Sequence, residues 1–218
     1  MTLTLEARWF GAPPLPDALR EWFSGLGSIR TAEQTDLYLP AEDPAVNLKL
    51  RDNQFQIKRR LAGPFRTSLG PNAAGRCEQW VKWSFELEEA ASLWDQDPTA
   101  LWVPVKKTRH QLTIPPEAQS SLTPALPAAP SASIELELTT LKVDSETAWT
   151  LCIEAEGPVS SLVDTLTTAA PQLLDDRLPI SLSSDQSFGY IRWLLQLPTV
   201  SRRPAPEVRI SPPQARRS

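Results

Sequence analysis

The stretch Val46–Leu61, VNLKLRDNQFQIKRRL, decides the fold class of this chain. Apolar residues stand at every second position on both sides of a polar centre, Asp52-Asn53-Gln54, as in two strands that each bury one face. The polar centre favours a tight reversal, so the sequence predicts a β-hairpin. The other face of the two arms is basic and carries Lys49, Arg51, Lys58 and Arg60. Like charges on neighbouring strands repel each other, and a bound anion would remove that repulsion.

Alternation of the same kind predicts strands along most of the chain. The further predicted strands are Thr2–Phe10, Gln34–Leu39, Glu78–Glu88, Trp102–Ile114, Ser133–Thr139 and Ala148–Glu156. Helical spacing predicts a helix that starts at Asp17, one over Ser160–Leu174 that is interrupted at Pro171, and one over Phe188–Leu197. Gly63–Arg76 is predicted to be a loop, and Glu88–Asp95 a helical turn or a short helix. Seven or eight strands in sequential order favour an antiparallel barrel or a strongly curved sheet.

Composition limits the classes of partner. The net charge is −4 and the pI is near 5.2, which argues against indiscriminate nucleic-acid binding, so a basic patch indicates a local anion site. We also expect no sequence-specific nucleic-acid partner. No apolar run approaches the roughly 20 residues of a membrane span. The first ten residues lack the layout of a signal peptide, so we expect a cytoplasmic protein with no membrane partner. Cys77 and Cys152 are the only cysteines, and their spacing is not that of a zinc site.

The sequence predicts one main domain. It covers residues 1–197 and includes a loop insertion at 115–130 that is rich in proline and alanine. Residues 198–218 are rich in proline and arginine and are expected to form a disordered tail. This tail is a candidate docking segment for an acidic protein partner.

Charged side chains recur on one face of strand after strand. If the sheet closes, these faces either line a polar lumen, where they need counterions or a ligand, or look outward around an apolar core. Catalysis by a Ser-His-Asp triad is poorly supported, because His110 is the single histidine and no G-x-S-x-G motif is present. There is also no Walker loop or dinucleotide fingerprint.

The order of several short motifs resembles the CYTH or triphosphate-tunnel superfamily, from Thr4 to about Leu194. That family opens with Glu-x-Glu-x-Lys on its first strand, where this chain has Thr4-Leu5-Glu6-Ala7-Arg8. Its later motifs look like Gln34-x-Asp36-x-Tyr38, the basic hairpin, Lys107-x-Arg109 and Glu154-x-Glu156. Thr4 stands where the family has its first glutamate, so this chain lacks that carboxylate, and Arg8 stands where the family has a lysine.

The resemblance implies a fold and a ligand. The fold is α+β and mainly antiparallel β, an eight-stranded closed or nearly closed tunnel-like barrel with a few flanking helices, and its tunnel binds triphosphate or polyphosphate. Glu6, Glu154 and Glu156 would hold Mg²⁺ or Mn²⁺ if the protein is a metal-dependent triphosphatase. The alternative is a catalytically inactive module that binds anions or a protein. The implied phosphate ligands are Arg8, Lys49, Arg51, Lys58, Arg60, Lys82, Lys107 and Arg109.

Overall fold

The structure is a computed structural model that describes residues 1–87, 102–116 and 132–201. Within these ranges the chain forms eight strands and four α-helices, with a 3-10 turn at Ser184–Gln186. The helices are α1 (Asp17–Ser24), α2 (Val159–Leu173), α3 (Tyr190–Gln196) and α4 (Pro198–Ser201). The strands are β1 (Thr2–Gly11), β2 (Arg30–Leu39), β3 (Val46–Arg51), β4 (Gln54–Gly70), β5 (Ala73–Glu86), β6 (Val103–Ile114), β7 (Ser133–Val143) and β8 (Glu146–Glu156).

The eight strands close into an antiparallel barrel in the order β1-β5-β4-β3-β2-β6-β7-β8. The predicted hairpin is confirmed, because β3 pairs with β4 from Val46 opposite Arg59 to Arg51 opposite Gln54. Asp52 takes a left-handed conformation at its turn, with φ 51°. The predicted fold class, α+β with an eight-stranded antiparallel barrel, is therefore confirmed.

The prediction of a loop over Gly63–Arg76 is wrong. Strands β4 and β5 continue through this region as a long hairpin, in which Phe65 lies opposite Cys77 and Ser68 opposite Ala74. The register shifts between Arg60 and Phe65, where Gly63 has φ 92°. Glycine and proline therefore mark an irregularity within a strand here, and they do not end it.

The predicted interruption of a helix at Pro171 is wrong. Helix α2 is not interrupted at Pro171 but continues to Leu173, because a proline in the last turn removes only one hydrogen bond near the end of the helix. The first residues of the predicted tail, Pro198–Ser201, form α4, and Val200 is buried. The predicted turn at Glu88–Asp95, most of the 115–130 insertion and the rest of the tail lie outside the described residues. Among the described helices, none is both long and apolar enough to cross a membrane.

The main apolar core lies outside the barrel. On β7, the buried residues Ile134, Leu136 and Leu138 alternate with Glu135 and Glu137. The apolar side chains of this face join the outward residues of β1 and β8 and the buried face of α2 in one cluster. Since successive side chains point to opposite faces of a strand, the charged residues are directed into the barrel. The structure thus has the charged faces on the inside.

A second apolar cluster closes one end of the barrel. Phe10, on the inner face of β1, stacks on Phe188 with ring centroids 4.9 Å apart and on Trp193 with centroids 5.5 Å apart. Tyr190, at the start of α3, stacks on Tyr38 with centroids 5.5 Å apart. Aromatic side chains of α3, together with Phe188 just before it, therefore close one end of a polar lumen.

Candidate anion-binding lumen

The inner faces of the strands enclose a cavity of about 360 Å³. All but one of the predicted phosphate ligands line this cavity, and so do the three predicted metal ligands, Glu6, Glu154 and Glu156. The exception is Arg60, which lines a smaller adjoining pocket of about 120 Å³ and contacts Glu78 at 2.5 Å. The basic residues that line the cavity are Arg8, Lys49, Arg51, Lys58, Lys82, Lys107 and Arg109.

Asp36 is the buried counterion of three of these cations. Its carboxylate accepts hydrogen bonds from Arg51 Nε at 2.6 Å and from Arg51 Nη2 at 2.9 Å, and it lies 2.7 Å from Lys107 Nζ. Lys49 Nζ is farther away, at 3.7 Å. Burial alone would raise the pKa of Asp36, but the charges of Lys107, Lys49 and Arg51 hold that pKa far below its usual range.

Lys107 is enclosed and belongs to the frame of the lumen. Its Nζ lies 3.9 Å from the centroid of the Tyr190 ring and 4.8 Å from that of Tyr38, and it donates a hydrogen bond to Tyr38 Oη at 2.7 Å. Only 3% of the side chain is exposed. Contacts of this kind stabilise an ammonium that has lost its water, so Lys107 is poorly placed to contact a ligand.

Glu137 is the second buried counterion. It accepts a hydrogen bond from Arg8 Nη1 at 3.0 Å, and it forms a close ion pair with Arg109. Burial raises the pKa of Glu137, yet Arg8 and Arg109 outweigh that effect and lower it. Arg8 also lies over the Tyr190 ring, with 4.7 Å between Cζ and the centroid, so it too is held in the frame.

A third group surrounds Lys58. Glu6 and Glu154 are direct partners across β1 and β8, and Lys58 Nζ lies 2.5 Å from Glu6 Oε2 and 3.5 Å from Glu154 Oε1. Cys152 joins this group, because its sulfur and one oxygen of each carboxylate all lie within 4.8 Å of one another. Burial raises the pKa of Glu6 and that of the Cys152 thiol.

These residues do not fit the implied Mg²⁺ or Mn²⁺ well. Glu156, the third predicted ligand, is exposed and is not part of the cluster, in which a thiol stands beside the two carboxylates. The ammonium of Lys58 already contacts both carboxylates. Both ions prefer oxygen ligands, so the donor set and the ammonium together argue against the implied site.

Lys49 and Lys82 are the cations with the weakest internal partners. Burial lowers the pKa of Lys49 well below its usual value, because Asp36 at 3.7 Å offsets only part of the cost of burial and the neighbouring cations add to it. Lys82 lies directly opposite Lys58 on the neighbouring strand and has no ion pair within the described residues. Such amines have the most to gain from an anionic ligand.

The residues that organise the lumen were not all predicted as site residues. Asp36, Glu78 and Glu137 hold the cations, and Cys152 and Tyr190 complete their surroundings. Alternation could have placed Cys152 on the inner face, since it lies two residues from Glu154, and Asp36 belongs to the Gln34-x-Asp36-x-Tyr38 motif. No signal in the sequence places Tyr190 against Lys107.

Comparisons with known proteins leave the family open. No protein-family model matches the chain, and no curated protein matches it. A conserved hypothetical protein from Pyrococcus furiosus aligns at 13% identity over 86% of this chain and 98% of its own, with a TM-score of 0.45. A protein from Pyrococcus horikoshii OT3 aligns at 15% identity over 86% and 98%, with a TM-score of 0.44. A "putative adenylate cyclase" from Bacillus halodurans aligns at 12% identity over 88% and 98%, with a TM-score of 0.42. Likeness at this level says nothing about function, which has to be argued from the side chains of the lumen.

Proposed function

We propose that the lumen binds a compact polyanion of the triphosphate or polyphosphate class, as in the CYTH superfamily that the sequence resembles. One observation carries the proposal: Lys49 and Lys82 face the cavity with weak carboxylate partners, since Lys49 Nζ lies 3.7 Å from Asp36 and Lys82 has no ion pair within the described residues. Buried ammonium groups are costly unless they are paired. A ligand with several negative charges would pair with both of them.

The other charged residues explain why the cavity would keep its shape. Arg8, Arg109 and Lys107 are fixed by Glu137, Asp36 and aromatic rings, so they form a preorganised positive wall. A preorganised wall lowers the entropy that a ligand loses on binding. Arg51 is bidentate on Asp36 but 22% exposed, so its remaining donors are available to phosphate oxygens.

Binding of tripolyphosphate to the full chain tests the proposal. We expect a calorimetric titration to show binding that weakens as NaCl is added, and a melting temperature that rises with ligand concentration. Sulfate, which offers one compact anion, should bind more weakly than tripolyphosphate. If neither heat nor a shift in melting temperature is seen with millimolar tripolyphosphate, the proposed function is wrong.

Hydrolysis of the bound anion is the second candidate, and one observation favours it. Glu6, a carboxyl group with a raised pKa, faces the same cavity as the phosphate-binding cations, where it could accept a proton from an attacking water.

We expect phosphate release from triphosphates, measured with EDTA, Mg²⁺ or Mn²⁺, to fall by at least about 100-fold in Glu6→Gln. Glu21→Gln, on the exposed face of α1, is the matched control and should keep the wild-type rate. If wild type releases no phosphate from any triphosphate, the alternative of a non-catalytic binding module is favoured.

A further inference from the structure

We propose that the ammonium of Lys58, and no divalent metal ion, is the resident cation between Glu6 and Glu154. The inference goes beyond the proposed function, because it states which positive charge neutralises the acidic wall of the lumen. It also predicts that the lumen binds its anion without help from a divalent metal.

The ammonium of Lys58 lies between the two carboxylates and an aromatic ring. The Lys58 side chain reaches from β4 past β5 to the paired strands β1 and β8, where Nζ lies 2.5 Å from Glu6 Oε2 and 3.5 Å from Glu154 Oε1. The Trp80 ring lies on another side, with 5.8 Å between Nζ and the ring centroid. Only 19% of the side chain is exposed. Two carboxylates and an aromatic ring thus surround a single ammonium.

The ammonium and a metal ion would compete for the same carboxylate oxygens of Glu6 and Glu154. Mg²⁺ binds carboxylate oxygens at about 2.0–2.1 Å and requires a nearly octahedral shell. The Glu6 oxygen that Lys58 contacts at 2.5 Å already accepts the ammonium, so a metal ion bound to that oxygen would lie next to a positive charge. The Lys58 ammonium and a divalent metal ion that share one carboxylate would repel each other strongly, because the cavity is partly dehydrated.

Cys152 provides a sensitive way to detect the site once Lys58 is removed. The cluster of Glu6, Cys152 and Glu154 offers two oxygens and one sulfur within 4.8 Å of one another. A mixed set with a thiolate suits Co²⁺ or Zn²⁺ better than Mg²⁺. A bond between Cys152 and Co²⁺ would give a thiolate-to-metal charge-transfer band, which carboxylates alone do not give.

The experiment titrates the full chain with Co²⁺ and Mn²⁺ in the absence of phosphate. We expect wild type to show no charge-transfer band and no Mn²⁺ binding at millimolar metal. Lys58→Ala should bind Co²⁺ at least about tenfold more tightly than wild type and show the band. The double variant Lys58→Ala with Cys152→Ser should lack the band. Lys106→Ala is the matched control, because it removes the same charge from an exposed residue that does not line the lumen, and it should behave like wild type.

A comparison of wild type with Glu6→Gln can overturn the inference. Binding of Mn²⁺ or Co²⁺ to wild type that is lost in Glu6→Gln would show that Lys58 does not hold the site. If Lys58→Ala is unfolded without metal, recovery of its melting transition on adding Co²⁺ supports the inference. Absence of both that recovery and the charge-transfer band contradicts it. These results do not depend on the proposed function, since no phosphate is present.

Discussion

Replacing Asp36 by asparagine is expected to lower the free energy of unfolding by about 3–5 kcal/mol. The carboxylate is fully buried and is the counterion of Arg51 and Lys107, with Lys49 nearby. Removing its charge leaves these cations uncompensated inside the barrel, and that cost exceeds the value of the lost hydrogen bonds. Urea denaturation of the two proteins at neutral pH measures the difference.

Asp185→Asn is the matched control for this prediction. Asp185 also bridges two arginines, Arg66 at 3.3 Å and Arg76 at 3.4 Å, but 76% of its side chain is exposed. Exposed ion pairs contribute about 0–1 kcal/mol, so this variant should remain close to wild type. Equal losses in the two variants would show that burial of Asp36 does not set the effect.

The effect of Asp36 also has a defined pH dependence. Its pKa is lowered by folding, so its contribution is complete above the usual value of 3.8 and is lost as the pH falls towards the folded value. The difference in stability between wild type and Asp36→Asn should therefore be constant near neutral pH and shrink below about pH 4. A difference that shrinks as the pH rises from neutrality would contradict the assignment.

Alternation placed the charged side chains on one face of each strand, and the resemblance to the CYTH superfamily predicted that this face lines the lumen. Lys49, Arg51 and Lys58 were expected to face the same space as Glu154, and all of them line the lumen. Arg60 lies on the same face of the strand, yet it lines the adjoining pocket. The register of β4 shifts directly after Arg60, and an irregularity of this kind has no period that a sequence pattern could reveal.

The pairing of charges was not predictable. That buried cations need counterions follows from their burial, but which carboxylate serves which cation depends on distances across the closed barrel. Lys58 contacts Glu6, which is 52 positions away in the chain, and Arg8 contacts Glu137, which is 129 positions away. The basic residues implied by the resemblance therefore fall into two groups that the sequence does not distinguish. One group is held by buried carboxylates and aromatic rings, and the other has only weak carboxylate partners.

Lys49 is the clearest member of the second group, and its removal should affect binding and stability in opposite directions. We expect Lys49→Met to weaken tripolyphosphate binding by about 10–100-fold, because a charged hydrogen bond contributes about 1.5–3 kcal/mol. The same variant should be more stable than wild type at neutral pH. The folded state disfavours the protonated amine, as its lowered pKa shows, and methionine carries no charge to bury.

The sign of the pH effect separates these two roles of Lys49. Because its pKa is lower in the folded than in the unfolded protein, Lys49 reduces stability at neutral pH, and this cost disappears as the pH rises through 10.5. A bound anion should raise the pKa again, so binding should take up protons at pH values between the pKa of Lys49 in the free and in the bound protein, and the affinity of wild type should fall as the pH rises through that range. Calorimetry in buffers of different ionisation enthalpy measures that uptake, which should be absent in Lys49→Met.

Lys106→Met is the matched control for Lys49→Met, because Lys106 is an exposed lysine that does not line the lumen. It should change neither the affinity for tripolyphosphate nor the proton uptake. Unchanged affinity in Lys49→Met would mean that the weakly paired amine is not a ligand of the anion. A loss of stability in Lys49→Met would mean that its contact with Asp36 outweighs the cost of burying the charge.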